Sequence, residues 1–220
     1  MVNQLYEKLN LKLRSEIHLA RKIWHISTVS LMFVIYYFAP ENISKIILLA
    51  SWILFVPIDF YRQKNKALND FLVHFFNQIL RKNEVDKLAG GSYLITGVGL
   101  VVFFLPRQIV CLTLLFLAFA DPLASYIGIR FGKDKIFGQK TIQGFMAAYA
   151  VCFLCSFFFL YSTSIPFGRL LAFSLIAGLI GALAELIPIA KLDDNLTLPV
   201  LSGTGLYMLF YFFGFLENIL

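Results

Sequence analysis

Apolar runs close to the length of a bilayer crossing dominate this chain and leave little from which to build a soluble surface. They cover Ile23 to Phe38, Ile43 to Phe60, Gly91 to Leu105, Gln108 to Gly128, Gly144 to Ser162, Phe167 to Ile187 and Leu198 to Leu216. A hydrocarbon core about 30 Å thick takes roughly 20 apolar residues in a helix, and only helices or closed barrels satisfy their backbone there. Near-continuous apolar character, without strict alternation, selects helices. With 59% of the 220 residues hydrophobic, the expected fold is all-α: a polytopic membrane protein with about seven transmembrane helices plus amphipathic interfacial helices. The run from Gly91 is short for a full crossing, and it is expected either to be partly shielded by protein or to start deeper than the others.

No soluble linker or internal repeat divides the runs, so 1–220 reads as one integral membrane domain. At its start, Leu5, Leu9, Leu13, Ile17 and Ala20 alternate with Lys8, Lys12, Arg14 and Glu16. That spacing predicts an amphipathic helix over 1–22 lying on the membrane surface, and the polar, basic start predicts no removable signal peptide. A second interfacial helix is expected within 61–88, where apolar doublets from Ala67 to Leu80 are interleaved with Asp70, His74, Asn77 and Gln78. Cys111, Cys152 and Cys155 all fall in apolar runs and read as small buried hydrophobes rather than as a disulfide or zinc framework.

Orientation follows from lysine and arginine. With the N-terminus inside, all 19 of them except Lys45, Arg107 and Arg169 fall on cytoplasmic segments, as the positive-inside bias requires. The net charge of +6 is then mostly topological and calls for no nucleic-acid partner.

Chemistry points to the stretch LAFADPLASYIGIRFGKDKIFGQKTIQG, Leu117 to Gly144. An acid at membrane depth costs about 2.5 to 3.5 kcal/mol on insertion scales, so Asp121 needs a partner or a task. Pro122 removes the amide donor for the Ala118 carbonyl and biases Asp121 away from helical dihedrals, which predicts a kink at the acid. On the assigned topology the other suspicious polar residues gather on the same side. They are Arg21, Lys22 and His25, Asp59, Gly90 to Ser92, Lys133 to Thr141, Glu185, and Lys191 to Asn195.

Acids, lysines and the starts of the third, fifth and seventh spans together suit a nucleotide with Mg²⁺. That ion takes one or two carboxylates plus phosphate oxygens, and helix N-termini favour phosphate; Thr141 and Asn195 are the candidate caps. Gly128-x-x-x-Gly132-Lys133 is not a P-loop, being one residue short with no Ser or Thr after the lysine. Structural readings stand beside these: Asp121 or Glu185 as interhelical acids, Asp193-Asp194-Asn195 as a turn and cap, Asp59 with Arg62 as an ion pair, and Arg21-Lys22 as a membrane-edge anchor.

Four ordered blocks, RKIWH at 21–25, ADPLASYIGIRFGK at 120–133, KTIQG at 140–144 and ELIPIAKLDDNLTLP at 185–199, resemble the dolichol kinase, phytol kinase and CTP-dependent diacylglycerol kinase family. The central block also resembles CTP:phosphatidate cytidylyltransferases, but their closing His-Gly-Gly and Asp-Arg signature is missing. The resemblance implies an enzyme, a lipid kinase that transfers the terminal phosphoryl group of CTP or ATP to a membrane lipid alcohol, with Mg²⁺ as cofactor. Taken with the resemblance, Asp121, Arg21, Lys22, His25 and Lys140 are the expected catalytic groups. Gly128, Gly132, Lys133, Lys140, Thr141, Gly144 and Asn195 are the expected nucleotide-binding set, and Asp121, Glu185, Asp193 and Asp194 the expected metal ligands. Gln143 stands where the family usually has Glu, and a capping role is expected for it. The alcohol proton goes to a carboxylate or to His25, between which the sequence does not choose. The expected setting is a multi-pass protein of a prokaryotic plasma membrane with its site on the cytoplasmic face. A cytidylyltransferase is the enzymatic alternative, and a small-solute transporter the non-enzymatic one.

Overall fold

The computed structural model describes Leu11, residues 16–189 and residues 192–216, and these are mostly helical. In order they form α1 (Leu19–Phe38), α2 (Glu41–Arg62), α3 (Lys66–Phe75), a 3₁₀ turn (Lys82–Glu84), α4 (Gly90–Phe104) and α5 (Arg107–Phe131). An antiparallel ribbon of β1 (Lys135–Phe137) and β2 (Lys140–Thr141) leads into α6 (Ile142–Leu160), α7 (Phe167–Leu186) and α8 (Asp194–Phe212). Every apolar run of the sequence is thus a helix. By length and apolarity α2, α5, α6 and α7 suffice to cross a bilayer, and α4 is a shorter apolar helix. Helices α1 and α8, with 20 and 19 residues, have comparable length but open with polar turns that carry Arg21, Lys22 and His25, and Asp194, Asn195 and Thr197. The amphipathic helix expected over 1–22 falls largely outside the described residues, as does Lys191.

The two ends of the bundle are built differently. At one end Pro40, Pro106 and Pro166 each occupy the N-cap of the next helix, where a fixed φ sets up the first turn and the preceding residue cannot stay helical. At the other, side chains cap the starts of α6 and α8: Thr141 Oγ1 accepts from the Gly144 amide at 3.2 Å, and an Asp193 carboxylate oxygen accepts from the Asn195 amide at 3.1 Å. Asp193 is therefore the cap, rather than the expected Asn195.

Helix α5 is the axis, packing on α1, α6, α8, α7 and α4. Of its most apolar stretch 67% is buried, against 17% for α2 at the periphery. One stripe, Ile109, Leu112, Phe116, Ala120 and Ala124, enters a core shared with α6, α7 and α8. A second, Val110, Cys111, Leu114, Leu117 and Ala118, enters a core shared with α1 and α4. Both keep the three- and four-residue spacing of a helix face. All three cysteines are free thiols, with Cys111 and Cys152 fully buried.

Two local expectations need correction. Asp121 stays helical, because α5 runs unbroken through Pro122, braced on both sides by neighbouring helices that hold the backbone in place. Helix α3 stops at Phe75, and residues 76–79 form turns instead of continuing to Leu80. Asn69 and Val73 face inward from α3, while Phe71 and Phe75 are exposed and stacked on each other.

Candidate functional site

The side-chain-capped end of the bundle holds a cleft of about 90 Å³, walled by the starts of α1, α6 and α8, the ends of α5 and α7, and Arg81. Asp121 stands in its wall, with 23% of its side chain exposed.

Helix α1 is stitched across this part of α5 by its polar stripe. Lys22 Nζ donates to Ser125 Oγ at 2.8 Å and to the Pro122 carbonyl at 3.2 Å. His25 Nε2 donates to the Leu117 carbonyl at 2.9 Å and lies 4.0 Å from an Asp121 carboxylate oxygen. Nε2 therefore carries a proton in this arrangement. Lys140, Arg81, Lys22 and His25 all bear on Asp121, and Glu185 stands in the same cleft, so basic side chains outnumber the acids around it.

Across the cleft Lys140 Nζ bridges α7 and α8, 2.5 Å from Glu185 Oε1 and 3.1 Å from Asp194 Oδ2. Burial alone would lower the Lys140 pKa, but Glu185, Asp194 and Asp121 outweigh it and raise it above the ordinary lysine value. Lys140 is thus a fixed cation at neutral pH, on a short ribbon that ends in the Thr141 cap.

The glycines make the close approaches. A Cβ on Gly144 would sit 2.9 Å from the Ala124 carbonyl oxygen, and one on Gly128 would sit 3.1 Å from Thr141 Oγ1, so α5 and α6 cross with almost no side chain between them. Gly132 gives the same clearance to Thr141 at the end of α5.

The cleft brings together Arg21, Lys22, His25, Asp121, Gly128, Lys140, Thr141, Gly144, Glu185, Asp194 and Asn195. Gly132, Lys133 and Asp193 do not line it. The Lys133 amide donates to Gln143 Oε1 at 3.1 Å, so Gln143 ties the turn between α5 and the ribbon to α6 instead of capping the start of α6. Among the described residues no three His, Cys, Asp or Glu side chains form a ligand cluster. Asp193 is spent on its cap, and the Lys140 ammonium lies between Glu185 and Asp194. Asp121 and Asp194 face the cleft as carboxylates and match the donor set that Mg²⁺ takes alongside phosphate oxygens.

Sequence reasoning missed Ser125, Arg81 and Glu84. Ser125 was accessible, since it lies four residues after Asp121 on the same helix face. Glu84 had no local signal: its Oε2 accepts from Arg21 Nη1 at 2.7 Å across 63 positions of sequence. Burial alone would raise the Glu84 carboxyl, but the Arg21 charge and hydrogen bond outweigh it and hold the group below the usual carboxylate value. A depressed pKa contributes stability above the unfolded value of about 4.3 and loses it as pH falls through the folded value. The thermal midpoint of Glu84→Gln should therefore trail the unsubstituted protein by a constant margin from about pH 8 to 5 and converge with it below about pH 4. A margin that widens toward acid would contradict the pairing.

Fold and cleft together define a polytopic helical membrane protein with a cleft lined by acidic and basic side chains at one end of its bundle. No protein-family model matches the chain, and no solved structure matches it. Sequence relatives are more informative. The CTP-dependent diacylglycerol kinase 1 of Schizosaccharomyces pombe is 32% identical over 144 residues, 60% of this chain and 65% of that protein. The CTP-dependent diacylglycerol kinase 1 of Saccharomyces cerevisiae is 24% identical over 204 residues, 83% and 70% of the two chains. An uncharacterized protein of Rickettsia prowazekii is 29% identical over 189 residues, 82% and 88%. The chain spans just under two thirds of the fission-yeast protein. It is similar in sequence to CTP-dependent diacylglycerol kinases, as its four blocks indicated.

Proposed function

We propose that this protein is a membrane lipid kinase that transfers the terminal phosphoryl group of CTP to the hydroxyl of a lipid alcohol, with diacylglycerol as the first acceptor to test. The observation that carries this reading is Asp121 on a membrane helix, facing a cleft with Lys22, His25, Arg81 and Lys140 around it. The names of the yeast relatives support both donor and acceptor. Phosphoryl transfer asks a protein mainly for positioning and for stabilisation of charge on the equatorial oxygens, and fixed cations in a partly desolvated cleft supply both.

Asp121 and Asp194 are the carboxylates that would hold Mg²⁺, which would neutralise charge on the donor phosphates. Lys140, locked in place by Glu185 and Asp194, and Arg21 on the opposite wall offset the remaining charge. The starts of α4, α6 and α8 lie at this end of the bundle, where the positive ends of helix dipoles favour a phosphate. His25 Nε2 is already a donor to Leu117 and is not the atom that takes the alcohol proton. By the positive-inside bias the cleft faces the cytoplasm, where a nucleotide is available.

The test is a transfer assay on the purified, detergent-solubilised protein with Mg²⁺, diacylglycerol and polyprenol in mixed micelles. CTP carries label on either the α or the γ phosphate. Label reaching lipid from the γ position only is the expected result, and the labelled lipid identifies the acceptor. Label arriving from the α position would make the protein a cytidylyltransferase. Transfer from ATP but not CTP would overturn the donor, and no transfer from either would overturn the kinase reading in favour of a transporter.

A further inference from the structure

Arg21 reaches the cleft from α1, but its orientation is set elsewhere. Its Nη1 donates to Glu84 Oε2 at 2.7 Å and to the Ile79 carbonyl at 3.0 Å, both on the segment between α3 and α4. The segment has a small apolar cluster, in which its Leu80 and Val85 pack on Val73 of α3 with Leu11, Phe76 and Ala89 at the margin.

A polar clasp holds it as well. Arg62, at the end of α2, donates from Nε to Asp59, from Nη1 to Asn69 Oδ1 and the Val85 carbonyl, and from Nη2 to the Glu84 and Lys87 carbonyls. Asp59 accepts in turn from the Ala89 amide at 2.9 Å and from the Ser92 hydroxyl. Glu84 is 4% exposed, its backbone carbonyl fixed by Arg62 and its Oε2 further held by the Arg81 amide at 3.1 Å. Neither Asp59 nor Arg62 lines the cleft.

Gly90 closes the arrangement. A Cβ there would run into Arg21 Nη2 and would sit 2.8 Å from Asn195 Nδ2 and 3.3 Å from Glu84 Oε1. The bare backbone of Gly90 is what lets the guanidinium, the carboxylate and the cap region of α8 meet at one point. Asn195 Nδ2 completes the junction by donating to the Gly90 carbonyl at 3.3 Å.

We propose that Glu84 is a positioning residue for phosphoryl transfer, aiming Arg21 at the donor phosphates, with the Asp59–Arg62 pair as the clasp that fixes Glu84. A guanidinium is a planar fork whose usefulness to a phosphate depends on its angle. An otherwise mobile side chain therefore gains from being oriented before substrate arrives. The inference rests on the kinase reading for what Arg21 acts upon.

A double-mutant cycle tests it, with kcat and KM measured by γ-label transfer for Arg21→Ala, Glu84→Gln and the pair. Loss of a cation that stabilises transition-state charge should lower kcat about a hundredfold in Arg21→Ala. Glu84→Gln should lower it by about tenfold or more through loss of alignment. The double variant should be no worse than Arg21→Ala alone, because Glu84 acts only through Arg21. The lipid KM should hold constant, and Glu84→Asp, which keeps the charge, should recover part of the loss. Wild-type kcat in Glu84→Gln, or losses that multiply in the double variant, would overturn the proposal; an inactive unsubstituted protein would instead overturn the kinase reading. If Glu84→Gln fails to fold, Gly90→Ala decides, because it keeps the carboxylate and crowds the guanidinium. A fall in its kcat is expected, and an unchanged kcat counts against the relay.

Discussion

Asp121→Asn should insert, fold and keep its thermal midpoint within a few degrees of the unsubstituted protein, yet lose phosphoryl transfer by about a thousandfold or more in kcat. Asparagine matches aspartate in size and keeps one accepting oxygen, so the packing of α5 against α1 and α6 is undisturbed. What disappears is one negative charge, and its surroundings give that loss its weight. His25, Lys140, Arg81 and Lys22 all bear on the carboxylate, and the cleft acids of α7 and α8, Glu185 and Asp194, are already engaged with Lys140 at 2.5 and 3.1 Å. The cations left behind still attract a nucleotide, so the apparent CTP KM should hold or fall while kcat collapses. That split distinguishes a role in the reaction from a role in binding alone. Transfer from γ-labelled CTP measures kcat, and the melting midpoint in detergent is the control. A variant with wild-type kcat would remove Asp121 from the chemistry.

How the site is legible from sequence follows from which forces act over short separations. Apolar runs of bilayer length mark each long helix, and the prolines at 40, 106 and 166 mark the turns at the far end, because both are local constraints of backbone and solvent. The convergence of Arg21, Lys22, His25, Asp121, Lys140, Glu185 and Asp194 was also legible: an up-and-down bundle sends alternate helix ends to the same side, so topology alone gathers them. Asp121 followed from the cost of a charge at membrane depth. The partners were not legible. Lys140 bridges Glu185 and Asp194, Lys22 reaches Ser125, and Glu84 takes Arg21, and each choice depends on how helices distant in sequence are rotated about their axes. The expected departure of Asp121 from helical dihedrals failed for the same reason, since a local proline bias yields when neighbouring helices brace the backbone. Asp193 and Asn195 illustrate the limit at the scale of two residues: either could cap α8, and the contact of Asn195 with Gly90 decided which one does.

The Asp59–Arg62 pair was legible as an ion pair three residues apart, but its importance lies in contacts the spacing does not reveal. A guanidinium offers five N–H donors, and Arg62 uses each of them, on Asp59, Asn69 and the carbonyls of Glu84, Val85 and Lys87. Both partners are buried, with 3% and 4% of Arg62 and Asp59 exposed. Removing one partner of such a pair leaves the other as an uncompensated buried charge, at a cost of about 3 to 5 kcal/mol. Arg62→Met, which keeps most of the volume, also leaves three backbone carbonyls without their donor. For a chain of this length the expected fall in thermal midpoint is about 6 to 20 °C. Arg62→Lys restores the charge but supplies three donors in no fixed plane, so it should regain less than half of the loss. Asp59→Asn combined with Arg62→Met should cost less than the sum of the two single variants, because the second change removes the charge that the first left stranded. Melting of the purified variants in one detergent at one pH measures all four values. A fall of less than about 2 °C in Arg62→Met, roughly the effect of 1 kcal/mol or less, would mean that the segment carrying Glu84 holds its place without the clasp.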